Sequence, residues 1–546
     1  MNICIVHGYL LTGTGSNIYV RNLAKELVRQ GHSVTVLCQE YEPEKIDFVS
    51  RFVRFEGERA RTAFERPTPY PGRCTVVRPD LGGVLPVYVL DRYPGFEVRE
   101  VHSMTDAEID ASLARVSGAL DRVLSGEHFD LVQSNHLVLQ PAAVARAKAA
   151  RGVRHVVTVH GSALNFSVRR NPYLKKLALE GLASCGRCVC NSRHGRAELL
   201  GYFAQEAGLA DKTVVIPLGV DVSRFQVLEA GRSKKDVIAG VAADLNALPA
   251  QKKARSLEET RGYLPLLAKA ALEGDFERAA AEVRARYETW STDADAGDKL
   301  QGMDWSAPVV LFFGKYRWTK GAHFLAAAAP LILEEHPETR FLAVGCGDFR
   351  EMLEPLVHAI SSGDKDLLLR LVGLADAGGG PSAPRYLGAF FEGLKREDRL
   401  NAYLAAGCGL DERFLFTGIM HHRQLARLLA CVDAVAAPSV FPEAFGLVGV
   451  EALAAGTVPL VACHSGFADV VEVLSAGFGK DFGDGLLDGL RLEEGLTSRL
   501  AGSLVRQLGH LAKLSGAERD SLRERAHRLA AAEFSWEATA RRLLAD

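Results

Sequence analysis

Residues 438–461 read PSVFPEAFGLVGVEALAAGTVPLV, and the reading of this stretch decides the reading of the chain. A strand end and a loop fill 438–445. Gly446 relieves backbone crowding, an apolar helix follows to Ala455, Gly456 stops it, and 458–461 begins a strand. A loop that ends at a helix start presents unpaired backbone N–H groups and the positive end of a dipole, so it suits an anion. Two carboxylates bracket it. Glu443 lies in the loop, and Glu451, four residues after Leu447, lies one turn up on the same face. At ~1.5 Å rise per residue they stand roughly 10 Å apart, about the length of a sugar diphosphate. One acid is then placed for hydroxyls at each end of a ligand whose phosphates rest on the helix N-terminus. Two glutamates at this spacing, taken alone, fit an ordinary αβ unit equally well.

The whole string, with E-A-F-G and A-A-G-T-V-P, carries more information. It resembles the glutamate, seven residues, glutamate signature of the family-4 retaining glycosyltransferases. The resemblance implies that Glu443 meets hydroxyls of a donor sugar and Glu451 holds the nucleotide ribose. It also implies that the backbone of Phe445, Gly446, Leu447 and Val448 meets the sugar and diphosphate.

Bulk properties bound the alternatives. A chain of 546 residues is too long for one core, so two domains plus insertions are expected. A net charge of -2 removes a bulk electrostatic case for nucleic acid. No run of about 18 uncharged apolar residues is present, so no spanning helix is expected. The start, MNICIVHGY, reads as a short strand without a basic leader rather than a signal peptide. Ten scattered cysteines fit a reducing cytoplasm. Cys185, Cys188 and Cys190 cluster, but no second C-x-x-C or His pair stands at zinc spacing, so no metal is expected.

Going out from 438–461, the N-terminal half opens with a βαβ unit: a strand over 2–6, a helix capped by Ser16 and running to about Gln30, and a strand over 33–38. The intervening loop is a poor dinucleotide fingerprint, because Ile18 stands where the third glycine belongs. By resemblance it is the family's glycine-rich loop near the donor phosphates, with Gly13, Thr14 and Gly15 in the matching positions; a plain turn is the other reading. Residues 41–95 read as irregular, Arg-rich cover for one edge of this domain. A helix over 106–125 and strands over 130–134 and 155–160 follow. His160 ends HVVTVH; a His at the end of a parallel strand lies on the ligand-facing edge of an α/β sheet. T-V-H-G resembles the family's active-site histidine, which faces the donor sugar. VVIPLGVD at 214–221 resembles the segment leading to the second domain, with Leu218 where Asn is usual.

Residues 226–306 interrupt the pattern. Apolar residues at three- and four-residue spacing predict helices over Leu257–Glu273 and 276–289, read as a helical insertion. A lid, an oligomer contact, an acceptor platform or simple packing on the second domain are all compatible with it. Beyond a strand over 309–313 stands GKYRWTKG at 314–321, which resembles the family's G-R-x(4)-K-G turn. Lys320 matches the usual Lys, and Lys315 replaces the usual Arg, keeping the charge but losing the bidentate fork. Gly345, in GCGDFR at 345–350, resembles the turn lining the nucleotide base pocket, and 361–411 is a second insertion. Helix 421–431, strand 434–438 and the loop over 463–469 complete the order, with Asp469 where Glu is usual.

The resulting fold class is α/β: two doubly wound Rossmann-like domains facing across a cleft, the GT-B arrangement, with helical insertions. The expected boundaries are an acceptor-side domain over 1–222, an insertion over 226–306, a nucleotide-sugar domain over 307–530, and a helix over 531–546 returning to the first domain. The resemblance implies retaining transfer from a UDP- or GDP-linked sugar to a sugar, lipid or small-molecule acceptor, with no cofactor. No D-x-D signature stands at this site and the two lysines do the work a metal would do, so metal independence is expected. His160, Lys315, Lys320 and Glu443 would carry the chemistry. An epimerase or phosphorylase on the same fold, or a non-catalytic scaffold, are the rival readings. NFSVRRNPYLKKL at 165–177 offers four cations beside apolar residues. At roughly 1 kcal/mol each near an anionic surface they would support only salt-sensitive peripheral membrane contact by a cytoplasmic protein.

Overall fold

The computed structural model describes residues 1–13, 15–89, 93, 95–249, 253–380, 385–482, 490–493 and 495–545. The chain forms two compact units, Met1–Gly219 with Phe534–Asp546, and Val220–Glu533. Each is an α/β layer structure around a parallel sheet, the class the alternating pattern predicts.

The first unit holds a nine-stranded sheet. Its order is Thr213–Val215, Arg187–Cys190, Arg154–Val159, Leu131–Asn135, Asn2–Val6, Ser33–Leu37, Arg73–Arg78, Arg51–Glu56, Arg59–Glu65. The direction of winding reverses beside Asn2–Val6, which pairs in parallel with Ser33–Leu37 on one side and Leu131–Asn135 on the other. The helix Gly15–Arg29 begins before Ser16, so Ser16 lies inside the first turn and is not the cap expected of it. Asn17 does the fastening instead: its Nδ2 donates to Thr12 O at 2.6 Å and its Oδ1 meets His7 Nε2 at 3.0 Å. The described residues of 41–95 are not irregular throughout. They supply three strands of the main sheet, ending in an antiparallel hairpin, Arg51–Glu56 with Arg59–Glu65. The outermost strand, RARTAFE, is exposed along nearly its whole length. It therefore lacks the apolar alternation that marks a strand, and its charges blunt a free sheet edge. The closing helix Trp536–Leu544 packs on Gly15–Arg29, and Thr539 Oγ1 donates to Pro217 O at 3.1 Å.

The second unit has a five-stranded parallel sheet in the order Phe414–Phe416, Arg340–Cys346, Val309–Lys315, Ala434–Ala437, Pro459–Val461. Winding reverses between Val309–Lys315 and Ala434–Ala437, which pair in parallel. The two insertions join this unit's core. The helices Leu257–Glu273 and Phe276–Arg286 contribute Tyr263, Leu267, Phe276 and Val283 to the same buried cluster as Leu371, Phe391 and Tyr403 of the second insertion. Arg370 Nε also donates to Ala271 O at 3.0 Å.

A buried ionic network fastens the first insertion to the helix Arg350–Ser362. Arg350 grips the Asp293 carboxylate with two nitrogens, at 2.6 and 2.8 Å, and reaches Glu354 at 2.8 Å. Lys299 adds a second cation to Asp293 at 2.8 Å. Arg255 pairs with Glu351, and Tyr263 donates to Glu354. Burial alone would raise the Asp293 carboxyl, but the Arg350 and Lys299 charges outweigh it and hold it below the usual carboxylate range.

Candidate functional site

In open parallel sheets ligands bind beyond the C-terminal strand ends, at the point where winding reverses. In the second unit that point is flanked by the turn after Val309–Lys315 and the loop after Ala434–Ala437. Val440 N donates to Thr319 O at 2.9 Å and ties the two together. Lys320 Nζ lies 2.5 Å from Glu443 Oε1, with the pair part-exposed at 34% and 20%. Ser439 Oγ donates to the same Glu443 oxygen at 2.8 Å, and Glu443 N donates to Ser465 Oγ at 2.8 Å. His464 Nε2 donates to Ser439 O at 2.7 Å. The Glu443 side chain is thus held from one side by a cation and from the other by a hydroxyl.

The helix Leu447–Ala454 starts beside this pair. Gly446 precedes it at φ 101, in the left-handed region, and no side chain caps the helix. A Cβ on Gly446 would stand 2.4 Å from the Phe467 ring. Leu447 and Val448 are half-buried, so the uncapped first turn keeps access to solvent. The residues expected to form a loop over 463–469 belong largely to a helix, Ser465–Phe482, that delivers Phe467 to this position. Glu451, one turn along, accepts from His422 Nε2 at 3.2 Å. That bond, strengthened by the carboxylate charge, raises the His422 pKa above its ordinary value.

Lys315 does not join the Lys320–Glu443 pair. It ends its strand in register with Cys346, and its Nζ lies 5.3 Å from the centre of the Trp290 ring. Gly345 sits on the neighbouring strand, where a Cβ would stand 1.8 Å from Gly314 O, so the close approach of these two strand ends demands glycine.

In the first unit His160 follows Arg154–Val159, on the C-terminal edge. Its hydrogen bonds define its tautomer. Asn135 Nδ2 donates to Val6 O at 3.3 Å, which leaves Asn135 Oδ1 to accept from His160 Nε2 at 3.0 Å. Asn191 Nδ2 donates to His160 Nδ1 at 3.4 Å. Burial, reinforced by His7, pulls the His160 pKa down to about 3, so the ring is neutral at physiological pH. His136 packs against it, ring centres 5.0 Å apart, and stacks on His7 at 5.7 Å. His136 is buried at φ 68, and neither ring nitrogen has a hydrogen-bond partner. Gly13 stands at φ 99 and Gly15 opens the first helix; Thr14 lies outside the described residues.

Of the residues singled out in the sequence, the fold brings Lys320, Glu443 and the Phe445–Val448 backbone together, with Glu451 one turn on. Lys315 and Gly345 stand on adjacent strand ends of the same unit. His160, Gly13 and Gly15 belong to the other unit. Sequence reasoning missed Ser439, His422, Trp290, Asn135, His7 and His136. The rule that singled out His160 reaches two of these: His7 and His136 each follow the last residue of a parallel strand. Nothing local distinguishes His422 or Trp290.

Comparison with known proteins places the chain. The glycosyl transferase 4-like domain matches residues 14–219, and the glycosyl transferases group 1 domain matches residues 363–485. The chain belongs to the family-4 glycosyltransferases. An uncharacterized glycosyltransferase of Methanocaldococcus jannaschii is 25% identical over 164 residues, 30% of this chain and 29% of that protein. The D-inositol 3-phosphate glycosyltransferase of Mycobacterium tuberculosis is 34% identical over 168 residues, 31% of this chain and 30% of that protein. The matched stretch therefore spans under a third of the length of these curated relatives. Among solved structures, sucrose-phosphate synthase of Thermosynechococcus elongatus is similar with a TM-score of 0.50 at 18% identity, over 99% of this chain and 97% of that one. That likeness speaks for the fold that family-4 glycosyltransferases share.

Proposed function

We propose that the protein transfers a glycosyl group from a UDP- or GDP-linked sugar to a hydroxyl of a sugar, lipid or small-molecule acceptor, with retention of anomeric configuration. The observation that carries the proposal is the Lys320–Glu443 pair beside the uncapped helix start at Gly446, at the reversal point of the second sheet.

In this reading the donor diphosphate rests on the backbone N–H groups at Leu447 and Val448, and Lys320 turns from Glu443 to a phosphate oxygen. Glu443 then accepts hydrogen bonds from sugar hydroxyls, and Glu451 from the ribose. As the bond from the anomeric carbon to the phosphate oxygen breaks, negative charge grows on the diphosphate, where Lys320 and the helix N-terminus already point; stabilisation of that charge lowers the barrier. Lys315 adds a second cation on the adjacent strand end. The acceptor hydroxyl attacks the anomeric carbon and its proton passes to the departing phosphate. His160, neutral and with both ring nitrogens engaged by Asn135 and Asn191, brings no positive charge to the reaction. The lysines and the helix dipole supply the positive charge the leaving group needs, so the reaction requires no metal cofactor.

Release of nucleoside diphosphate from UDP-, GDP- and ADP-linked sugars, with and without EDTA, tests the proposal. Release should persist in EDTA and leave the sugar on an acceptor or on water in its original anomeric configuration. An epimerase would release no nucleoside diphosphate, and a phosphorylase would depend on added phosphate. Lys320→Ala should cut turnover by about two to three orders of magnitude with an unchanged melting temperature; wild-type turnover in that variant would sink the assignment.

A further inference from the structure

Trp290 is 55% exposed, among the most exposed of the large apolar side chains of the described residues. It is not on a loose surface loop. The residues that follow it are pinned to the turn after Phe414–Phe416. Ile419 N donates to Ser291 O at 3.0 Å, Thr292 Oγ1 donates to Ile419 O at 2.8 Å, and Asp293 N donates to Thr417 O at 2.9 Å. The turn itself is joined to the neighbouring strand end, where Gly345 N donates to Gly418 O at 2.9 Å. Asp293 is in turn gripped by Arg350, the first residue of the helix that leaves the Gly345 turn. The 226–306 segment therefore delivers one large aromatic ring to the C-terminal edge of the second sheet and fixes the backbone behind it. Lys315 Nζ lies 5.3 Å from the centre of that ring.

A nucleotide offers a flat aromatic base and, a few bonds away, an anionic diphosphate. An exposed indole with an ammonium beside it matches both parts at once. We infer that Trp290 is the stacking platform for the nucleobase of the donor, with Lys315 set beside it for the diphosphate. This rests on the donor reading of the site given above and assigns a base contact to a residue outside both matched domains. Every base has a π-face, so stacking on Trp290 adds affinity without selecting the base; choice between UDP and GDP must come from hydrogen bonds elsewhere.

Calorimetry on the full-length protein tests this with UDP, GDP, ADP and inorganic pyrophosphate. Trp290→Ala should weaken all three nucleotides by roughly tenfold to a hundredfold, the range for loss of one base–aromatic stack, while pyrophosphate binding stays unchanged. Trp290→Phe, which keeps a ring, should recover most of the loss. The side chain is exposed, so the melting temperature of both variants should match the wild type. Wild-type nucleotide affinity in Trp290→Ala overturns the inference and leaves the donor reading standing. Equal affinity of the wild type for pyrophosphate and the nucleotides overturns it as well, since the base would then contribute nothing. If the wild type binds neither nucleotides nor pyrophosphate, the donor reading fails and this inference fails with it.

Discussion

Glu443 and Glu451 stand on one loop-helix element but have different neighbours, and this separates their expected effects. Glu451 meets the exposed His422, whereas Glu443 neutralises Lys320. Glu451→Ala should weaken even the free nucleoside diphosphate, by about tenfold to a hundredfold, as expected for a lost hydrogen bond to a charged group. If Glu443 meets the donor sugar as proposed, Glu443→Ala removes that contact and also releases Lys320, so affinity for the free nucleoside diphosphate should hold or rise while the extra affinity due to the sugar is lost. Calorimetry with nucleotide alone against nucleotide sugar separates the two, and equal losses in both variants would count against the division of roles. His422 adds a pH dependence. Its pKa in the folded state is raised above 6.5 by the Glu451 bond. The pair's stabilisation is therefore fully present below about pH 6.5 and is lost as pH rises through the raised value. The imidazole is 56% exposed, so the contribution is held to a few tenths of a kcal/mol, up to about 1. His422→Ala should accordingly lower the melting temperature at pH 6 and leave it unchanged at pH 9; a loss of the same size at both would remove the electrostatic account.

At the scale of elements, the ionic network under the first insertion governs how that insertion is held. Arg350 satisfies two buried carboxylates, Asp293 and Glu354. Arg350→Met would leave Asp293 to Lys299, and Glu354 to Tyr263 and the more distant Arg255. Both would be under-compensated in a low-dielectric interior, at a cost of up to about 3–5 kcal/mol. Arg278→Met, which breaks an exposed pair with Asp275 one turn away, should cost less than about 1 kcal/mol. Chemical denaturation of both variants, followed by hydrogen exchange in Phe276–Arg286 and Arg350–Ser362, checks the contrast. Similar small losses would show that the network does not hold the insertion. The helix Leu257–Glu273 was legible to the residue, because its apolar spacing lies within a single window and Ser256 caps it. The network was not, since Arg255, Asp293 and Glu354 are ordinary polar residues in their own neighbourhoods and meet only on folding. The same reasoning covers the edge hairpin in 51–65: a strand with neither face buried has no period-two signal to read.

For the whole molecule, two units with separate cores imply that unfolding is not a single all-or-none event. A ligand that binds one folded unit stabilises that unit by mass action, by about 2.7 kcal/mol at a hundred times its dissociation constant. A nucleoside diphosphate at that excess should therefore slow hydrogen exchange in 314–321 and 438–451 of the second unit. Gains confined to residues of the first unit would contradict the assignment of the donor to the second.

The sequence by itself determined the α/β class, the order of most strands and helices outside 41–95 and the 463–469 loop, and the string at 438–461. Each of these is written in windows of a few to some twenty residues, through hydrophobic period, glycine at a left-handed helix start, and polar residues at strand ends. The tertiary structure alone decided which of the marked residues meet. Lys320 and Glu443 are 123 positions apart. They form a pair only because strand order in the second sheet places their two turns side by side, while Lys315, five residues from Lys320, is turned toward Trp290 instead. The histidine cluster follows the same rule: His7, His136 and His160 end three strands, and parallel pairing through Leu131–Asn135 brings those ends together. Spacing along the chain carries no record of such distances, because register between strands is set by the packing of whole sheet faces and not by the residues at their tips.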